Sequence, residues 1–175
     1  MPTIINGTTG VNLVQDGVVG LSKLASNSVN QAKVGTNTLA GTGPAFSAYQ
    51  SSAQTPSANT NTKLQFQTEE FDTNSNFDNA TNYRFTPTVA GYYYVNGALA
   101  VSSTACTMST YIYKNGSMFK SGMQVPTSGI ASVGALIYFN GSTDYVEMYA
   151  SISVSQALNA NLQYTYFQAS MVRSA

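Results

Sequence analysis

Between Tyr145 and Ile152 the side chains alternate strictly: Val146, Met148, Ala150 and Ile152 fall on one side, and Tyr145, Glu147, Tyr149 and Ser151 on the other. A period of two is the mark of a β-strand with one face in a core. The same alternation sets Ile112 against Tyr111 and Tyr113, and Phe167 and Met171 against Tyr164 and Tyr166. Asn115-Gly116 joins Met108–Tyr113 to Ser117–Phe119, and this dipeptide is the strongest short-range signal for a type I′ hairpin because both central residues need positive φ. Ala135–Phe139 runs through Asn140-Gly141-Ser142-Thr143 into Tyr145–Tyr149, and a last strand covers roughly residues 161–172. No segment after residue 44 carries helical periodicity. The chain from Ala45 onward is therefore expected to be all-β: a sandwich, a jelly roll or a barrel.

The second face of these strands narrows the class further. Tyrosine on that face suits a surface that is covered yet keeps partners for its hydroxyls, as at a subunit interface. Composition agrees: charged residues are 8 % of the chain, seven basic and seven acidic, against roughly 25 % in ordinary soluble domains. Hydrophobic residues at 43 % argue for a folded protein all the same. With no histidine and one cysteine, Cys106, the chain has no Ser-His-Asp triad, Cys-His pair, His-ligated zinc or intramolecular disulfide. Cys106 is expected to be a small buried hydrophobe. Scattered Lys and Arg make no nucleic-acid stripe, and no apolar run is long enough to span a bilayer. The start, Met1 to Gly7, shows no basic-then-apolar secretory signal.

Residues 1–43 are different in kind, with no aromatic residue and a repeat of ten. Asp16–Ala25 is followed by Ser26–Gly35 and by a clipped third copy from Thr36; Val19, Val29 and Leu39 are in phase, as are Leu24 with Val34. Each unit is too poor in apolar groups to bury its own core, so burial must come from other surfaces. Residues 1–43 are read as an extended anchoring arm, with Val19, Leu24, Val29, Val34 and Leu39 as its contact positions, and residues 44–175 as the head.

Within the head, Phe85-Thr86-Pro87-Thr88-Val89-Ala90-Gly91-Tyr92-Tyr93-Tyr94-Val95 resembles the F-x5-G-x-Y-x-F core signature of C1q-like domains of the TNF/C1q superfamily. Thr110–Gly116, Tyr138–Gly141 with Asp144–Val146, and Tyr166–Met171 resemble the segments that follow it there, although Ala169 stands where that family has Gly. The resemblance implies a ten-stranded jelly-roll sandwich assembled as a homotrimer, with Tyr92, Tyr94, Tyr111, Tyr113, Tyr145, Tyr149, Tyr164 and Tyr166 as trimer-interface candidates. The arm has no Gly-X-Y repeats and is similar instead to linkers in bacteriophage tail-fibre and virion-surface proteins. Together the two resemblances imply a non-enzymatic virion surface protein, made in the bacterial cytoplasm, whose arm engages other capsid or tail proteins. A short fibre for host attachment is the leading expectation and a capsid decoration or cement protein its rival. A polysaccharide-binding or depolymerase head and a bacterial exosporium or matrix protein stand behind them.

Catalytic residues and cofactors are not expected. The head's acids are Glu69, Glu70, Asp72, Asp78, Asp144 and Glu147; Glu69 and Glu70 are adjacent and so diverge in a strand, while Asp72 and Asp78 flank an Asn-rich turn. Some C1q-like heads bind calcium, but no ligand set is assigned here. Host glycan recognition, if present, is expected on the loops Thr55–Asn61, Asn74–Asn82, Pro126–Ile130 and Ser155–Asn161.

Overall fold

The computed structural model describes residues 43–102, 105–122 and 129–175. Val19, Leu24, Val29, Val34 and Leu39, and with them the arm, lie outside the described residues. Among the described residues there are eleven strands: β1 (Ala45–Tyr49), β2 (Thr62–Lys63), β3 (Thr68–Asp72), β4 (Phe77–Asp78), β5 (Arg84–Phe85), β6 (Gly91–Ala100), β7 (Met108–Lys114), β8 (Ser117–Ser121), β9 (Ile130–Phe139), β10 (Val146–Ile152) and β11 (Tyr166–Ser174). The first sheet has the order β3-β1-β11-β6-β9, and the second the order β4-β5-β10-β7-β8 with β2 beside β10. Every paired strand runs antiparallel to its neighbour. Eleven strands stand where ten were expected, and three of them, β2, β4 and β5, are two-residue ladders on the second sheet.

The sequence pattern builds these elements directly. Val146, Met148, Ala150 and Ile152 are all buried, as their alternation requires. Asn115 and Gly116 have φ of 52° and 77°, which is the type I′ geometry, and β7 and β8 pair across them. Two expectations change. The last strand begins at Tyr166, because Asn161 first folds the chain into a turn: its carbonyl accepts the amides of Tyr164 and Thr165, and its side-chain oxygen accepts the amide of Gln163. Ala135–Phe139 and Tyr145–Tyr149 fall in different sheets, so the link between them passes from one layer to the other. Asn140 stabilises that passage, its Oδ1 accepting the amides of Ser142, Thr143 and Asp144.

The core between the sheets is aromatic at one end. Phe46 stacks on Phe77 with centroids 4.5 Å apart and on Phe85 at 4.6 Å, with Phe167 edge-on at 5.2 Å. Each of these rings, once buried, contributes about 1.5–3 kcal/mol relative to exposure. Tyr93 belongs to this core; its hydroxyl donates to the Val89 carbonyl at 2.8 Å, and burial pushes its pKa up to about 12. Cys106 is buried and unpaired, as expected of a small apolar side chain.

Candidate assembly face

The strand alternation that fills the core also decides what the first sheet shows to solvent. In β6, Gly91, Tyr93 and Val95 point inward and Tyr92 and Tyr94 outward; in β9, Ala131, Val133, Ala135, Ile137 and Phe139 are buried and Ile130, Leu136 and Tyr138 exposed. Register then places Tyr92 beside Tyr138 and Tyr94 beside Leu136. The Tyr92 and Tyr138 rings meet at 5.5 Å, and Leu136 is 58 % exposed. Phe71, on edge strand β3, opposes Ser47 and adds a further exposed ring. Exposed apolar side chains grouped in this way make the outer face a candidate interaction surface.

Polar side chains cross the middle of the same face. Gln168 Nε2 donates to Asn96 Oδ1 at 2.9 Å, and Ser47 Oγ donates to Glu70 Oε2 at 2.7 Å. Hollows of about 220 and 320 Å³ lie on the two sides of the Asn96–Gln168 pair. They are shallow surface depressions bordered by Tyr94, and the larger is also bordered by Ser132 and Tyr166.

The eight tyrosines named from the sequence do not fall on one face. Tyr92, Tyr94 and Tyr166 lie on the first sheet's outer face. Tyr164 is exposed in the turn before β11. Tyr111, Tyr113 and Tyr149 belong to the second sheet, Tyr145 lies just before β10, and all four are half-buried by neighbours within the chain. Tyr113 stacks on Tyr149 at 3.9 Å and accepts a hydrogen bond from Asn61 Nδ2 at 3.2 Å. Burial, and then the Glu147 carboxylate, raise the Tyr149 pKa. Arg84 lies 4.4 Å over the Tyr145 ring, and Lys63 pairs with Glu147 at 3.0 Å. Sequence reasoning did not single out Ile130, Leu136, Tyr138 and Phe71 for the exposed face. The signal for three of them was present in the alternation of β9, which is apolar on both sides.

The strand directions give the head two poles. Ala45 pairs with Ser170, so the chain enters the head at the pole where it ends. The loops after β1, β6 and β10 gather at the other pole and are tied together. Leu158 N donates to Gln54 O, Asn59 N to Ile152 O, Ser102 N to Ala157 O and Ser155 Oγ to Pro56 O. Thr55–Asn61 and Ser155–Asn161 therefore share this pole. Asn74–Asn82 starts at the entry pole, where the Thr73 amide donates to the Ala45 carbonyl, and turns back so that Asn79 Nδ2 donates to the Gln67 carbonyl. Within Pro126–Ile130, residues 126–128 lie outside the described set.

Five of the six described acids, all but Glu69, hold bonds within the chain. Asp78 accepts the amides of Thr81, Ala80 and Asn82 and the Asn82 side chain; the Thr81 amide does most to lower its pKa, to about 2, against an opposing effect of burial. For Asp144, burial acts upward, but Asn115, Lys114 and the Asn140 amide outweigh it and hold the carboxyl below its usual range. Asp72 accepts the amides of Asn74 and Phe77. Among the described residues no three His, Cys, Asp or Glu side chains converge as metal ligands, and no helix is long and apolar enough to cross a membrane.

The two facing antiparallel sheets form a jelly-roll sandwich whose fold is shared with solved C1q and TNF structures. Three of the similar solved structures show the extent of the likeness. The globular domain of zebrafish complement 1qA superposes with a TM-score of 0.58 at 19 % identity, over 77 % of this chain and 100 % of that one. The Eiger TNF of S. frugiperda gives 0.58 at 8 % identity, over 77 % and 96 %. The PRD1 vertex protein P5 gives 0.56 at 16 % identity, over 76 % and 99 %. At these identities the likeness is one of fold. No protein-family model matches the sequence, and no curated protein sequence matches it.

Proposed function

We propose that this chain is a non-enzymatic structural subunit on the surface of a phage virion, a homotrimer closed through the outer face of the first sheet. Residues 1–43 anchor it to other virion proteins, and the loop pole projects outward as a short fibre engaged in host attachment. The observation that carries the reading is the exposed face of Tyr92, Tyr94, Leu136 and Tyr138 on a chain with so few charges. Covering that face is worth roughly 25 cal/mol for each Å² of apolar surface removed from water, which favours association over a lone head. The ten-residue repeat of the arm supports a phage origin.

Sedimentation of the full chain tests the assembly: the expected mass is about three times 18.5 kDa, and a mass near 18.5 kDa in physiological buffer would overturn it. Imaging of particles labelled on this chain tests the place. Label on tail appendages is expected for a fibre. A capsid decoration role is the second reading, favoured by the fold shared with the PRD1 vertex protein P5; it requires label over the shell and fragile capsids when the chain is deleted. Release of sugar from host polysaccharide by the purified chain would contradict both.

A further inference from the structure

Charge is spread unevenly over the head. Its acids and bases run from Lys63 to Arg173, yet none falls in residues 50–61 or 153–165, the two stretches tied together at the loop pole. What these stretches show to solvent is hydroxyl and amide: Ser57, Asn59 and Thr60 are exposed on one, Asn161 and Gln163 on the other. Leu162 and the Tyr164 ring are exposed among them. The pole is firmly built. Asn59 holds a positive φ of 54°, with its amide on the Ile152 carbonyl at 2.7 Å. The turn that carries Tyr164 is closed by Asn161, and the next residue, Thr165, is fully buried. The Thr165 carbonyl accepts the Gln50 amide at 3.0 Å, and its hydroxyl accepts the Ala100 amide at 3.4 Å. The backbone under Tyr164 is thus fixed while its ring faces outward, so little freedom is left to lose on binding.

We infer that the loop pole is a binding site for an uncharged saccharide, with the Tyr164 ring as its stacking platform. The inference deepens the host-attachment reading above and rests on it. A sugar ring has an apolar C–H face and a rim of hydroxyls; the first suits an aromatic face, and the second suits the amides and hydroxyls of Asn161, Gln163 and Ser57. A polymer bearing phosphate or uronate would meet no cation on these stretches, and its charges would lose water without compensation. A lipid surface that took in Leu162 and Tyr164 would also take in the amides of Asn161 and Gln163 and leave them without water.

The test uses the full chain as wild type, Tyr164→Ala and Tyr164→Phe. The probes are a panel of purified bacterial surface polysaccharides, neutral and acidic, and the cells that carry them. Wild type is expected to bind neutral members, with the same Kd at low and high salt. Tyr164→Ala should weaken that binding at least about tenfold, and Tyr164→Phe, which keeps the ring, should retain most of it. Circular dichroism and sedimentation mass should be alike for all three. Binding confined to acidic polysaccharides, binding that salt abolishes, or a Tyr164→Ala chain that binds as wild type does, overturns the inference. The charge and salt readouts on wild type stand whether or not a variant folds. Cells bound through a receptor that protease removes and periodate spares overturn the saccharide and leave host attachment standing. Binding to neither cells nor polysaccharides overturns both.

Discussion

Tyr94 lies across Gly134: a Cβ placed on Gly134 would come within 2.8 Å of the Tyr94 hydroxyl oxygen. The bare position on β9 gives the phenol room to lie along the outer face. The clash is with the far end of a flexible side chain, so Gly134→Ala is expected to leave the sandwich folded, with a change in head stability within about 1 kcal/mol. It should nevertheless turn Tyr94 and weaken the trimer. Near-ultraviolet circular dichroism would report the moved ring, and the concentration dependence of the sedimentation mass the weakened assembly. An unchanged mass at every concentration would count against a role for Tyr94 in the interface.

Substitutions on the two tyrosine faces should separate assembly from folding. Tyr94→Ser removes a half-exposed ring from the candidate interface, so the expected loss is of trimer mass on dilution. Tyr113→Ala removes the stack on Tyr149 and the bond from Asn61, and should cost about 1–2 kcal/mol in denaturant unfolding with the mass unaltered. The reverse pattern would place the interface on the second sheet.

Acid should loosen the turn after β4 in a defined window. The Asp78 carboxyl falls from 3.8 to about 2 on folding, so its hydrogen bonds contribute stability that is fully present above pH about 4 and disappears as pH drops toward 2. Urea unfolding of wild type and Asp78→Asn, followed from pH 6 downward, should show wild type the more stable at pH 6. The two curves should converge between pH about 4 and about 2. A gap independent of pH would mean that the charge on Asp78 is immaterial.

In the core, Phe46→Ala is expected to cost about 3–5 kcal/mol, because the ring is fully buried against Phe77, Phe85 and Phe167. Differential scanning calorimetry of the variant tests this; a loss below about 1 kcal/mol would mean that the aromatic cluster repacks.

What the sequence disclosed is what short-range physics controls. Asn115-Gly116 dictates its hairpin through two backbone dihedrals, and the alternation from Val146 to Ile152 identifies a core face without knowledge of any partner strand. Sheet membership is another matter. β1 pairs with β11 from the far end of the chain, and β9 and β10 are neighbours in sequence but lie in different layers. The tyrosines were ambiguous for a similar reason: an outward Tyr has the same pattern on either sheet, and only register separates Tyr94, beside Leu136, from Tyr113, stacked on Tyr149. In β9 apolar residues occupy both faces, so period alone did not show which side is covered by the core and which by a neighbour.

The placement of β1 also sets how the head would bear mechanical load. Its first residue sits at the entry pole, and it is held on one flank by β11 and on the other by β3. A pull on Pro44 directed away from the loop pole draws β1 along its own length. The ladder bonds on both flanks then resist in shear, all at once, instead of peeling open one after another. A head gripped at its loops and tethered at its start would hold as a bolted joint holds, until the whole strand slides.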